Sequence, residues 1–167
     1  MVVHRRSTGA VYALKYHLVW CPKYRRKVLV GAVEADLRTL LRQKAEQLKV
    51  TIEALDIMPD HVHLLIRPIA GRSLPRVLQG VKGYSGREIN RTLGRDGSVW
   101  QTESFDHLIR NEADWFDKFE YIHNNPVAAG LVPRPQDYPF SSLVTLHSVG
   151  RLESLPRRDA CDLTPAR

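Results

Sequence analysis

The chain has 167 residues, of which 43% are hydrophobic and 26% charged, values of a soluble globular domain long enough to bury a core. No apolar run reaches the roughly 18–20 residues that a bilayer span requires, and the opening MVVHRRSTGAVYALKY lacks the apolar core and cleavage site of a signal peptide. A formal net charge of +7 points to a polyanionic partner, nucleic acid before a membrane surface.

Residues 11–21, VYALKYHLVWC, alternate as a strand, with Tyr12, Leu14, Tyr16, Leu18 and Trp20 on one face and Lys15 and His17 on the other. The loop CPKYRRKV follows, crowding Lys23, Arg25, Arg26 and Lys27 around Tyr24. Cys21 and Cys161 are far apart and in no metal-type spacing, which suits a reducing cytoplasm. An amphipathic helix is predicted over 32–49, with Val33, Leu37, Leu40, Leu41, Ala45 and Leu48 on its apolar side. Two strands, 51–58 and 61–67, flank a turn at Pro59-Asp60. A second helix covers 74–93, a strand 104–110, and a third helix 113–125, closed by Pro126. From about residue 133 the sequence reads as an irregular arm, and 143–167 as a basic tail outside a domain spanning 1–142.

This order predicts an α+β fold of the ferredoxin-like, split βαβ kind. It has an antiparallel sheet of four to five strands, two helices on one face, and an extra C-terminal helix. The other face is expected to stay open for a ligand.

The stretch PDHVHLLI places His61 and His63 two residues apart, hence on one face of a strand and about 7 Å apart, while Val62, Leu64 and Ile66 point the other way. Two such imidazoles can be solvated polar groups or can converge on a divalent ion. A metal site would need further ligands, and His17 on the polar face of the first strand is one candidate.

The third helix carries a second anomaly. Trp115, Phe116, Phe119 and Ile122 form its packed stripe, whereas Tyr121 lies about 145° from the stripe's centre. Asn125 follows it at i+4. Tyr84, the competing tyrosine, falls at the flank of its own helix's stripe and reads as packing. Gly80, Gly83 and Gly86 in that helix permit close approach of another element.

Taken together, YHLVWCPKYRRKVL, MPDHVHLLI, LQGVKGYSGREINR, VWQTESFDHLIRNEADW and YIHNNPVAAGLV resemble the single-tyrosine HUH transposases. Within that superfamily the resemblance is to the REP-associated tyrosine transposases of bacteria, in the same order over roughly residues 10–142. It implies that His61 and His63 are metal ligands, with Asn125 completing the site, and that the metal is Mg²⁺ or Mn²⁺, although two histidines would equally suit zinc. It implies that Tyr121, on a catalytic C-terminal helix, is the nucleophile. The expected activity is cleavage and strand transfer of single-stranded, hairpin-forming repetitive palindromic DNA through a 5′-phosphotyrosine, by a cytoplasmic monomer or homodimer. A non-catalytic regulatory protein on the same fold is the alternative. Arg5, Arg6, Lys23, Tyr24, Arg25, Arg26, Lys27 and Arg110 are expected to contact DNA, and Trp100 and Gln101 are further candidates.

Overall fold

The computed structural model of the chain describes residues 4–7, 10–68 and 73–144. The strands are β1 (His4–Ser7), β2 (Ala10–Ala13), β3 (Lys15–Trp20), β4 (Val50–Met58), β5 (His61–Pro68) and β6 (Phe105–Ile109). The helices are α1 (Ala32–Gln47), α2 (Leu74–Leu93) and α3 (Glu112–Ala128). Strands β4, β5, β3 and β6 pair in that order, each pair antiparallel, which is the ferredoxin-like arrangement.

The single long strand expected over 11–21 is broken at Leu14: β2 pairs with β1 in a separate two-stranded hairpin, and only β3 enters the main sheet. Strand β5 pairs on both sides, which puts the histidine pair in the middle of the sheet. Ser73 and Pro75 open α2, and Gly94, at φ +60°, ends it in the left-handed conformation that glycine adopts without steric cost.

The alternation of each strand divides the side chains between two faces. Leu18, Trp20, Leu55, Ile57, Val62, Leu64 and Ile66 lie against Val33, Leu37 and Leu41 of α1 and Val77, Val81 and Ile89 of α2, forming the main core. Each fully buried aliphatic side chain there contributes about 1.5–3 kcal/mol. Trp100 belongs to this core: it is 5% exposed, meets Trp20 edge to face at 6.0 Å and donates its indole N–H to Ser85 Oγ at 3.1 Å. The glycine spacing of α2 finds its reason here, since a Cβ on Gly86 would stand 3.2 Å from the Trp100 ring.

The opposite face is not left open along its whole length. Helix α3 crosses it, burying Trp115, Phe119 and Ile122 against Ala54, Leu65 and Ile109 in a second, smaller core. A bulge in β4 at Glu53 anchors the helix, because the Glu53 carboxylate accepts the Trp115 indole N–H and pairs with Lys15 at 3.0 Å and Arg67 at 3.4 Å. The helix also runs past Pro126, which was expected to end it, to Ala128. The proline removes one donor, but its ring is buried on the packed side with Ile122 and His123, and Ala129 N–H bonds Asn125 O beyond it. Burial thus outweighs the lost bond, and Asn125 keeps helical geometry.

Residues 134–144 return as a strap along β4. The Tyr138 hydroxyl lies 2.6 Å from Ile57 O and 2.8 Å from Glu34 Oε1, Ser141 donates to Asp56 Oδ1 at 2.8 Å, and Leu55 N–H donates to Ser142 Oγ at 2.9 Å. Burial pushes the Asp56 carboxyl up to about 8, against the pull of its bonds from Ser141 and Ser142. Burial likewise raises Glu34 to about 7. The expected tail beyond residue 144, with Cys161, lies outside the described residues.

Candidate active site on the histidine face

Strand periodicity and the position of α3 together create the site. Because α3 covers only the part of its sheet face that carries Ala54, Leu65 and Ile109, the row holding His17, His61 and His63 is left beside the helix rather than beneath it. Tyr121 projects from α3 toward that row. It is 55% exposed, and its ring lies 5.6 Å from that of His63 and 6.1 Å from that of His17, edge on to both. The tyrosine that helix periodicity sets off its stripe and the histidine pair that strand periodicity puts on one face therefore meet within one chain.

His63 stands at the centre. Its Nε2 is 3.0 Å from His61 Nε2 and 2.9 Å from the Asn125 amide nitrogen. Its Nδ1 is 3.1 Å from His17 Nε2, with the two rings nearly coplanar and their centres 5.3 Å apart. His61 is held from behind by Asp60, whose Oδ1 lies 2.6 Å from His61 Nδ1. Burial, then the neighbouring His61 and His17, depress His63 to about 2. Burial, then Lys118 and His107, depress His17 to about 4. Both rings are neutral at physiological pH, the state in which imidazole binds a metal. Burial works to raise the Asp60 carboxyl, but the hydrogen bonds and charges of His61 and Arg25 together hold it below the usual range.

The donor chemistry fits a cation. Asp60 accepts the Nδ1 hydrogen of His61, which leaves Nε2 as the nitrogen that can face a cation. Asn125 donates to Nε2 of His63, so that nitrogen is an acceptor as well. Two imidazole lone pairs 3.0 Å apart repel unless a proton or cation lies between them. Asn125 can present its amide oxygen to the same point by a half-turn. Among the described residues no group of three or more His, Cys, Asp or Glu side chains is arranged to hold a metal. The third donor here is an amide. His17 is not a ligand in this arrangement, since its Nε2 faces the far side of His63.

The other expected residues are distributed unevenly. Lys23–Arg25 form a 3-10 turn in which Tyr24 and Arg25 adopt φ of +61° and +49°. Left-handed backbone at a non-glycine residue costs about 1–2 kcal/mol. The turn holds this geometry through Lys23 N–H to Val99 O and Arg25 N–H to Pro22 O. The outcome is a Tyr24 ring that is 78% exposed, with the Arg26 guanidinium 5.2 Å from its centre. Arg25 is paired with Asp60 at 3.1 Å, which ties the basic turn to the His61 side of the site. Arg110 sits at the other end of β6, beside the start of α3 and apart from the histidines. Arg5 and Arg6 lie on β1, but their side chains fall outside what is described. Tyr84 is on α2, on the far side of the sheet, where Lys44 covers its ring at 5.3 Å. Sequence reasoning passed over Asp60 and Glu53. A carboxylate immediately before the first histidine was the available signal for Asp60, whereas nothing local marks Glu53.

Residues 10–125 match the family described as "Transposase IS200 like", and the chain belongs to that family. It is 41% identical over 85 residues to the ISDra2 transposase TnpA of Deinococcus radiodurans, covering 51% of this chain and 61% of that protein. The chain thus spans less than two thirds of that relative's length. It is 28% identical over 123 residues to a REP-associated tyrosine transposase of Escherichia coli, covering 71% of this chain and 69% of the relative. The fold matches a solved REP-associated tyrosine transposase bound to a REP hairpin, with a TM-score of 0.70 at 23% identity over 99% of this chain and 95% of the other. No helix among the described residues is long and apolar enough to cross a membrane.

Proposed function

We infer that the chain is a DNA-nicking and strand-transfer enzyme of single-stranded, hairpin-forming DNA, with Tyr121 as its nucleophile and His61, His63 and Asn125 as the ligands of a divalent cation, Mg²⁺ or Mn²⁺. The observation that carries this reading is the Tyr121 ring lying 5.6 Å from that of His63 in the same chain. One chain then contains a complete site, and a monomer suffices. The cation, when bound, supplies positive charge that stabilises the phosphoryl oxygens as the phosphate is attacked.

The tyrosine is set on a helix held by its packed face and by the Glu53–Trp115 contact, which limits the reorganisation needed to present it. The phenolic oxygen of Tyr121 attacks phosphorus and the P–O3′ bond breaks. The phenol proton ends on the departing 3′ oxygen, and the DNA is held as a 5′-phosphotyrosine. Attack by a 3′-hydroxyl on that linkage reverses the step and joins strands with no external energy source. The exposed Tyr24 ring offers a stacking platform for an unpaired base, flanked by Lys23, Arg26 and Lys27 for phosphates. Arg5, Arg6 and Arg110 add positive charge, and Arg25 serves Asp60 as well as DNA. Such a substrate places the enzyme with chromosomal DNA in the cytoplasm.

The test is incubation of the full chain with end-labelled hairpin DNA and Mn²⁺ or Mg²⁺. A covalent protein–DNA adduct that disappears in Tyr121→Phe and persists in Tyr84→Phe supports the assignment. Hairpin binding with no cleavage under either ion would favour a regulatory DNA-binding role instead.

A further inference from the structure

We propose that His17 is the positioning residue of the metal centre: it accepts the Nδ1 hydrogen of His63 and so keeps His63 Nε2 free to bind the cation. The inference rests on the metal site proposed for His61, His63 and Asn125 and extends it to a residue that touches neither cation nor DNA.

A neutral imidazole has one donor and one acceptor nitrogen, and a ligating nitrogen must be the acceptor. Asn125 presents its amide nitrogen to His63 Nε2 at 2.9 Å, so that nitrogen accepts and the ring's hydrogen is on Nδ1. The partner within hydrogen-bond reach of Nδ1 is His17 Nε2, at 3.1 Å, which must then be the acceptor. His17 in turn carries its hydrogen on its own Nδ1, which is buried and has no hydrogen-bond partner among the described residues. A ring 2% exposed with a stranded N–H is a poor choice for a core position unless the acceptor it turns to His63 is needed.

The fold makes His17 suited to this task. It lies on β3, hydrogen-bonded between β5 and β6, where its backbone register is fixed opposite Leu65 and His107. The Phe105 and Tyr121 rings stand steeply inclined to it at 6.3 and 6.1 Å, and the His63 ring lies nearly coplanar with it, edge to edge, at 5.3 Å. His17 therefore holds His63 by an in-plane directional bond and lies beside the Tyr121 ring. Asp60 does the equivalent for His61 with a full charge. The two ligands have different outer partners: an anion behind His61 and a neutral ring behind His63. Outer partners of metal-bound histidines typically change metal affinity about 10–100-fold when removed.

The experiment measures Mn²⁺ affinity by electron paramagnetic resonance on metal-stripped full-length protein, together with the melting temperature without metal. The variants are His17→Phe, His17→Gln and His61→Ala. His17→Phe keeps a flat apolar ring and removes the acceptor, so Mn²⁺ affinity should fall about 10–100-fold while the metal-free melting temperature changes little. His17→Gln restores an acceptor oxygen and should recover part of the affinity. Wild-type affinity in His17→Phe, or His17→Gln as weak as His17→Phe, overturns the proposal. If His61→Ala loses Mn²⁺ and His17→Phe does not, only the positioning role fails. If wild type binds no Mn²⁺, the metal reading and this inference fail together. Should His17→Phe not fold, the ring ¹⁵N shifts of His63 in Mg²⁺-loaded wild type decide the matter. A protonated Nδ1 supports the proposal and a protonated Nε2 overturns it.

Discussion

The two faces of the central sheet are built from the same four strands and are put to opposite uses. One face presents Leu18, Leu55, Ile57, Val62, Leu64 and Ile66 to two helices and contains no histidine. The other presents His17, His61 and His63 beside a small apolar patch, with one helix covering part of it. Alternation along a strand costs the backbone nothing, so a two-residue period can separate a stabilising surface from a chemical one. The polar face is tolerable because its buried rings bond to neighbours: His63 to His17 and Asn125, and His61 to Asp60. The larger of the two cores lies on the first face and the smaller one on the second.

That contrast can be broken most sharply at Tyr121. Tyr121→Phe removes one exposed hydroxyl, so adduct formation on hairpin DNA should vanish, while the thermal midpoint stays within a degree or two of wild type. A coincident loss of stability would mean that the histidine face also holds the fold together. The mirror experiment is Leu64→Ala, one residue along β5 from His63 and facing the main core. It should cost about 2–5 kcal/mol in chemical denaturation, and the surviving folded fraction should keep its metal affinity.

A smaller effect is expected at the rim of the polar face. Tyr24→Ala should weaken single-stranded DNA binding by about 1–3 kcal/mol if a base stacks there. The slope of affinity against salt should be unchanged, because the phosphate-contacting charges remain. Arg26→Ala should instead reduce that slope, which can be read from binding titrations at several salt concentrations.

The smallest effect concerns the strap that closes the sheet on the β4 side. Asp56 titrates near 8 in the folded chain against an ordinary value near 4, so its neutral form is the one that folding favours. Its contribution is complete below about pH 4, where both states are protonated, and is lost as pH rises and the unfolded chain alone ionises. The loss ends once the folded group also ionises, above about pH 8. Below pH 6.5 the depressed histidines give the reverse slope, so the informative window is pH 7 to 8. Wild type should lose about 1 kcal/mol across it, and Asp56→Asn should lose clearly less in urea denaturation at the two pH values.

Much of the fold was legible because it rests on local rules. Strand alternation put His61 and His63 on one side and Val62, Leu64 and Ile66 on the other. Helix periodicity set Tyr121 off the stripe of Trp115, Phe119 and Ile122. The order of elements was enough for the ferredoxin-like arrangement, because few topologies satisfy it. All these features depend on neighbours within a few residues of one another.

What only the tertiary structure decided depends on residues far apart in the chain. Glu53 reaches Trp115 across 62 positions and so seats α3 on a face that strand patterning alone leaves bare. Burial of the Pro126 ring overrides a local helix-stop signal and preserves the i+4 relation of Tyr121 and Asn125. The pairing of β3 with β5 sets His17 behind His63, turning a residue that sequence offered as a ligand into its support. Periodicity within one element can say which way a side chain points. The side chain it meets is chosen by packing between elements.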